Sequence, residues 1–256
     1  MKKLTCYWRT AVALHNYHPL LLFIELLSVP FFKGVRRRKP QRLHVRLEGV
    51  PHDLYVRDGA DIATLYEVFV LKEYAVSIPQ PARIVDIGGH IGSATLFFAT
   101  LYPEAKIFTY EPDPDSFKVL LKNTEKFQNV SCVNAAVNDV GGVVEFFVNK
   151  SSISSSLIER DGTSKMTVKA VALDTILSET IDLVKFDIEG AESIVFSSAK
   201  NIRNAKVYIG EVHLDLMSQD KKSFFENFTG YYVNETKIND SRLLVIFERG
   251  KAQKCL

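Results

Sequence analysis

A chain of 256 residues that is 46% hydrophobic and 24% charged has the composition of an ordinary globular protein, which excludes wholesale disorder, collagen and coiled coil. Its length predicts one large domain, or one domain with an appendage, and a core that needs no covalent staples. A formal net charge of +2 implies no nucleic-acid partner, and three cysteines, Cys6, Cys132 and Cys255, are too few and too odd for a disulfide framework, so a reducing, cytoplasmic location is expected.

Residues 1–40 differ from the rest. The apolar stretch from Leu20 to Phe32 contains Glu25 and Pro30 and is shorter than the roughly 20 residues a membrane span needs. A secretory leader reads poorly, because Arg9, His15 and His18 interrupt the apolar run. Lys33, Arg36, Arg37, Arg38 and Lys39 follow. Two readings stay open. One is an interfacial helix with a basic collar, giving peripheral contact with an anionic membrane. The favoured one is a helix packed on the main domain with a solvated basic turn behind it. The expected division is an apolar and basic appendage over residues 1–40 and the main domain over 41–256.

From Arg42 the period becomes two. Leu43, Val45 and Leu47 alternate with polar residues, and Leu54 and Val56 follow a turn at Gly49–His52, which predicts a hairpin. Ile62 to Tyr74 predicts an amphipathic helix with Asp61 as its N-cap. From Arg83 strands and helices alternate: strands over 84–87, 106–110, 130–134, 183–188 and 207–212, and helices over 91–101, 113–127 and 191–199. Asp113 and Pro114 suit the N-cap and first position of the second of these helices. Strand-like runs at 143–148 and 167–172 flank a Ser-rich loop, and the C-terminal part offers a short segment at 224–228 and strands near 231–235 and 243–247. The pattern is α/β: a Rossmann-like sheet covered on both faces, mostly parallel with an antiparallel C-terminal edge hairpin, plus an N-terminal helical and hairpin appendage.

Ligands of such sheets sit at the carboxyl ends of the strands. The first end reads Val85-Asp86-Ile87-Gly88-Gly89-His90-Ile91-Gly92, and the second Tyr110-Glu111-Pro112. A dinucleotide fingerprint wants G-x-G-x-x-G. From Gly88 that frame meets His90 and Ser93 where glycines belong, and Asp86 would repel a pyrophosphate. S-adenosylmethionine carries an ammonium and a sulfonium and no phosphate. It suits an acid at the strand end, glycines for close approach, and Glu111 to accept both ribose hydroxyls. An NAD(P)-dependent oxidoreductase is the first rival reading, and a non-catalytic adenosyl-binding module the second.

Asp187 and Glu189 end a later strand, and Glu211 and His213 the next. Side chains at 211 and 213 share a face, so all four are expected in one crevice, where a transfer to a hydroxyl needs its acceptor aligned and deprotonated. Lys185 reads as a buried ion-pair partner and Glu192 as an acid favoured by a helix N-terminus. A divalent ion on Asp187, Glu211 and His213 is an alternative. Paired acids at strand ends do not specify a metal, and none is expected.

Asp86-Ile-Gly-Gly-His-Ile-Gly92 and Glu111-Pro-Asp-Pro resemble the cofactor motifs of class I methyltransferases. Asn134-Ala-Ala-Val137, Leu183-Val-Lys-Phe-Asp-Ile-Glu-Gly-Ala-Glu192 and Glu211-Val-His213 narrow the resemblance to the FkbM family. The run from Arg57 to Tyr74 is similar to that family's leading helix, and Ser154-Ser-Ser-Leu157 to its Ser-rich insertion. One departure is Gly89-His90, where the family usually shows Ala-Asn. The resemblance covers Val56 to His213 and implies S-adenosylmethionine-dependent O-methylation. It implies cofactor contacts from Asp86, Gly88, Gly89, His90, Gly92, Glu111, Pro112, Asn134 and Ala135, and catalysis by Asp187, Glu189, Glu211 and His213. The implied acceptor is a hydroxyl of a small molecule or glycan, above all a sugar or polysaccharide.

Overall fold

The computed structural model describes residues 2–15, 19–27, 39–148, 155–159 and 163–250. The basic residues 33–38, the start of the Ser-rich loop at 151–154, and Cys255 lie outside them. The chain begins with two helices, α1 (Lys2–Leu14) and α2 (Pro19–Leu27), and a hairpin, β1 (Gln41–Leu47) with β2 (Val50–Val56). The hairpin turns at Glu48 and Gly49, both at positive φ, as a two-residue connection requires; this is tighter than the turn expected at 49–52. Helix α3 (Gly59–Leu65) runs into a π-helical turn, Tyr66–Val70. Its N-cap is Asp58, whose carboxylate accepts from Ala60 N and Asp61 N. Asp61, the expected cap, is instead buried one turn in and bonded to Arg57.

The alternation that follows is β3 (Arg83–Ile87), α4 (Ser93–Leu101), β4 (Lys106–Tyr110), α5 (Pro114–Thr124), β5 (Val130–Val133), β6 (Ala136–Asn138), β7 (Gly142–Val148) and β8 (Ser164–Ala172). Then come α6 (Leu173–Ile176), β9 (Ile181–Phe186), α7 (Glu192–Ser197), β10 (Ala205–His213), α8 (Lys221–Glu226), β11 (Tyr231–Lys237) and β12 (Arg242–Arg249). Asp113 caps α5 with Pro114 at its first turn, as the sequence predicts.

Seven strands form the main sheet in the order β11-β12-β10-β9-β3-β4-β5. The five from β10 to β5 are parallel, and β12 and β11 continue antiparallel as the terminal hairpin. Strands β6, β8 and β7 make a separate small sheet; three-residue β6 carries too short a pattern to be read from sequence.

Because neighbouring residues of a strand face opposite ways, the sheet feeds two cores. Ile84 and Leu183 join the core that also holds Phe97, Phe98 and the hairpin. Val85, Val184 and Phe186 join the one holding Phe196, Phe224, Phe228 and Phe247. Tyr7, Ala11 and Leu14 of α1 and Leu22 and Leu26 of α2 are buried in the first core, so the N-terminal helices pack on the main domain. The faces they turn outward carry Leu4, Trp8 and Val12 on α1 and Leu20, Ile24 and Leu27 on α2, all exposed.

Candidate active site

The chain builds β3, β4 and β5 in one direction, then crosses back to lay β9 and β10 on the other side of β3. The switch lies between β3 and β9, and the crevice outside their carboxyl ends is where open α/β sheets bind ligands. Gly88 leaves β3 at φ +81°, and a Cβ there would lie 2.0 Å from the carbonyl oxygen of Asp187. Only glycine lets the two chain segments pass at that distance. The N–H groups of Gly88 and Gly89 donate to the Tyr110 carbonyl, each at 3.0 Å, and fix the turn against β4.

A cleft opens there. Ile87, Gly88, His90, Tyr110, Glu111 and Pro112 line its β3–β4 side, and Ala136, Val137, Phe146 and Leu157 supply an apolar wall. Glu111 ends β4 with its carboxylate accepting from His90 N at 2.7 Å and Asp113 N at 2.8 Å. Burial, with Asp113 adding, pushes its carboxyl up to about 7. His90 sits at φ +49°. Its Nε2 lies 2.9 Å from Arg57 Nη2 and 3.3 Å from Asp61 Oδ1. The buried Arg57–Asp61 pair thus ties the leading helix to the glycine turn through this histidine.

Asp86 is not at the cleft. The register pairs it with Lys185 of β9, and its fully buried carboxylate meets Lys185 Nζ at 3.0 Å and Thr95 Oγ1 at 2.7 Å. Lys185 also donates to the Gly88 carbonyl at 2.8 Å. The pair is a buried strut beneath the turn, because position 86 points to the face opposite Ile87. Gly89, Gly92, Asn134 and Ala135 shape the loops without lining the cleft: Gly89 packs on Thr109, Gly92 starts α4 in the left-handed region, and Asn134 Nδ2 donates to the Glu111 carbonyl at 2.7 Å.

The far end of the cleft is acidic. Asp187, Glu189, Glu211 and Glu67 line it, with Arg242. Gly190, at φ +99°, lets the chain turn after Glu189 where a Cβ would meet Leu216 at 2.4 Å. Arg242 Nη1 holds Glu211 Oε2 at 3.1 Å. His213 is one layer back, 3% exposed. Its Nδ1 is 2.9 Å from Glu192 Oε1, and its Nε2 lies 3.6 Å from Glu189 Oε2 and 3.9 Å from Glu211 Oε2. Burial alone would lower this imidazole, but Glu192, then Asp187 and Glu189, carry it up to about 9. Burial and Asp187 push Glu211 upward against Arg242 and His213, and burial with Glu73 and Asp187 lifts Glu67 to about 8.

The structure therefore brings together Gly88, His90, Glu111 and Pro112 at one end, and Asp187, Glu189 and Glu211, backed by His213, at the other. Sequence reasoning missed Glu67 and Arg242. Glu67 lies on the π-helical turn, which has no periodic signal. Arg242 reaches the cleft because β12 pairs it opposite His213, a register no motif announces. Glu192 opens α7, as expected of an acid at a helix start, and its carboxylate also holds His213.

The family model for the methyltransferase FkbM domain matches residues 86–231, more than half of the chain. The chain belongs to the FkbM methyltransferase family. This is a family of S-adenosylmethionine-dependent enzymes. Among curated relatives of this FkbM chain, it is 30% identical over 155 residues to Methyltransferase 1 of Beauveria bassiana, covering 49% of the chain and 62% of the relative. It is 27% identical over 143 residues to 2-O-methyltransferase NoeI of Sinorhizobium fredii, covering 48% and 58%. It is 26% identical over 147 residues to the hexuronic acid methyltransferase AglP of Haloferax volcanii, covering 53% and 57%. The matches thus span only about three fifths of the length of these relatives. A solved methyltransferase FkbM from Methylobacillus flagellatus is similar with a TM-score of 0.48 at 10% identity, covering 96% of this chain and 59% of that one.

The cleft fits the family's cofactor. It has a buried carboxylate at the end of β4, a glycine where no Cβ has room, an apolar wall, and carboxylates beyond it.

Proposed function

We propose that this protein is an S-adenosylmethionine-dependent O-methyltransferase acting on a sugar or polysaccharide hydroxyl. The observation that carries the reading is the two-ended cleft, with Glu111 and the glycine turn at one end and Asp187, Glu189 and Glu211 at the other. When bound, the cofactor supplies an electrophilic methyl group on a sulfonium. Glu111 accepts the ribose hydroxyls, and Gly88 lets the ligand lie against the backbone. The carboxylates of this end, with Glu67 among them, favour the cofactor's cationic end by their summed negative charge and receive acceptor hydroxyls. Glu189 has 19% of its side chain exposed, against 6% for Glu211 and 3% for His213. Among these three it is therefore the group an entering hydroxyl meets, and it takes the proton as the acceptor oxygen bonds to carbon. Arg242 and the Glu192-held His213 keep the carboxylates aimed. The sugar acceptor is supported by the printed activities of two relatives, the 2-O-methyltransferase and the hexuronic acid methyltransferase.

The test is methyl transfer from S-adenosylmethionine to a panel of hexoses, hexuronic acids and oligosaccharides, read by mass spectrometry. The expected result is a single added methyl on a sugar oxygen, lost by about 10²–10⁴-fold in Glu189→Gln with adenosylhomocysteine affinity retained. Cofactor binding with no transfer to any hydroxyl would instead favour a non-catalytic adenosyl-binding module.

We also infer that the outward face of α1 and α2 rests on an anionic membrane surface. Leu4, Trp8 and Val12 recur every four residues on α1, and Leu20, Ile24 and Leu27 share a face of α2. Trp8 and Phe23 join the two helices edge to face at 5.4 Å. The basic run Lys33 to Lys39 begins six residues after Leu27 in sequence, which is the pairing of apolar face and positive charge that binds anionic lipid. Among the described residues no helix is long and apolar enough to cross a membrane.

A further inference from the structure

The geometry points to a divalent-cation site formed by Asp187, Glu211 and His213 at the acidic end of the cleft. One ligand atom from each of the three lies within 4.8 Å of the others, a spread that small side-chain rotations close onto metal bonds of about 2.0–2.2 Å. The acids alone would not make a site. What adds to them is the histidine. His213 is 3% exposed, and its Nε2 has no hydrogen-bond partner. That nitrogen faces carboxylate oxygens, at 3.6 Å and 3.9 Å, too far to bond. Behind the ring, Glu192 Oε1 holds Nδ1 at 2.9 Å, the carboxylate–histidine arrangement that fixes a ligating imidazole and leaves its other nitrogen free for a metal. Asp187 Oδ1 is likewise buried without a hydrogen-bond partner.

Charge points the same way. Glu67, Glu73 and Glu189 crowd the same end, and the cations that face these acids, Arg242 on Glu211 and Lys185, are already engaged, the latter buried against Asp86. Two carboxylate oxygens and one imidazole nitrogen suit a divalent ion of the Mn²⁺ class. Three protein ligands leave open positions that can receive a hydroxyl oxygen of the acceptor and lower its pKa. That role for the ion rests on the methyl-transfer reading above; the ion site itself does not.

The experiment titrates Mn²⁺ into the chelator-treated full chain and follows loss of the free-ion signal by electron paramagnetic resonance. Saturable binding of one ion per chain is expected, abolished in Asp187→Asn and weakened about 10–100-fold in Glu192→Gln. Glu192 is buried and its variant can fail to fold, so the half-buried Asp187 variant is run beside it, with thermal melts on both. A wild-type chain that takes up no ion at millimolar Mn²⁺, or Asp187→Asn binding as tightly as wild type, overturns the site. Ion binding without transfer to any acceptor upholds the site and removes the methyl-transfer reading. Transfer unaffected by chelator, from a chain that binds no ion, does the reverse.

Discussion

Glu111 is held by two backbone N–H groups, yet burial carries its carboxyl up to about 7. Ribose hydroxyls donate to an ionised carboxylate, so ligand binding favours the charged form. Adenosylhomocysteine affinity should therefore rise as pH rises from about 6 to 8, with proton release on binding below neutrality, measurable by calorimetry in buffers of different ionisation heat. Glu111→Ala should remove the pH dependence and cost about 2–3 kcal/mol of affinity, as for lost hydrogen bonds to a charged group. Unchanged affinity in a folded variant would sink the ribose assignment. The sign reverses for the ligand-free protein. A carboxyl that binds its proton more tightly folded than unfolded, at about 7 against 4.5, makes stability fall as pH rises through that window, by about 3 kcal/mol. Asp86 shows where residue-level reading stopped. Its type and its place before the glycines were plain in the sequence. Its face was not, because only the β3–β9 register sets it against Lys185. Lys185→Met should leave a buried, uncompensated carboxylate and lower stability by about 3–5 kcal/mol. Thermal unfolding checks this, and an unshifted melting temperature would contradict the strut.

At the scale of elements, the strands of the parallel sheet were legible because each is a short apolar run bounded by turn residues, and α5 because Asp113 and Pro114 announce its start. The leading helix was only half legible. Asp58 and Asp61 both suit a helix start, and three-dimensional pairing decides that Asp58 caps while Asp61 turns inward to Arg57. The N-terminal helices yield a different test. Their apolar outer face should bind vesicles containing phosphatidylserine, with each basic residue near the surface adding about 1 kcal/mol and salt weakening the attraction. Val12→Asp and Ile24→Asp change exposed positions only. They should release the protein from vesicles in sedimentation or flotation while leaving the melting temperature in place. Equal sedimentation of variant and wild type, or no preference for anionic over neutral vesicles, would remove the membrane reading.

For the whole molecule, the acidic end of the site was legible as a set of strand-end residues, because β9 and β10 are parallel neighbours whose carboxyl ends lie together: Asp187 and Glu189 follow β9, and Glu211 and His213 end β10. Glu67 and Arg242 were not, because they arrive from a π-helical turn and an antiparallel edge whose register depends on the assembled sheet. The same dependence on assembly bears on residues 1–40. By sequence they look like an appendage, and a chain starting near Arg42 would be expected to keep its cofactor site. In the fold, Tyr7, Ala11, Leu14, Leu22 and Leu26 lie in one continuous core with Leu43, Val45, Leu65 and Phe69, reaching Phe97 and the sheet at Ile84. Burying five such side chains contributes on the order of 10 kcal/mol as an upper estimate, comparable to the whole net stability of about 5–15 kcal/mol for a domain. Removing residues 1–40 also uncovers the hairpin and α3, whose Arg57 and Asp61 hold His90 against the glycine turn. The truncated chain should therefore lose its cooperative thermal transition, bind a hydrophobic dye at room temperature, and bind adenosylhomocysteine weakly or not at all. A truncated chain that melts cooperatively near the wild-type temperature and binds with wild-type affinity would show instead that the two helices are carried by the fold without supporting it.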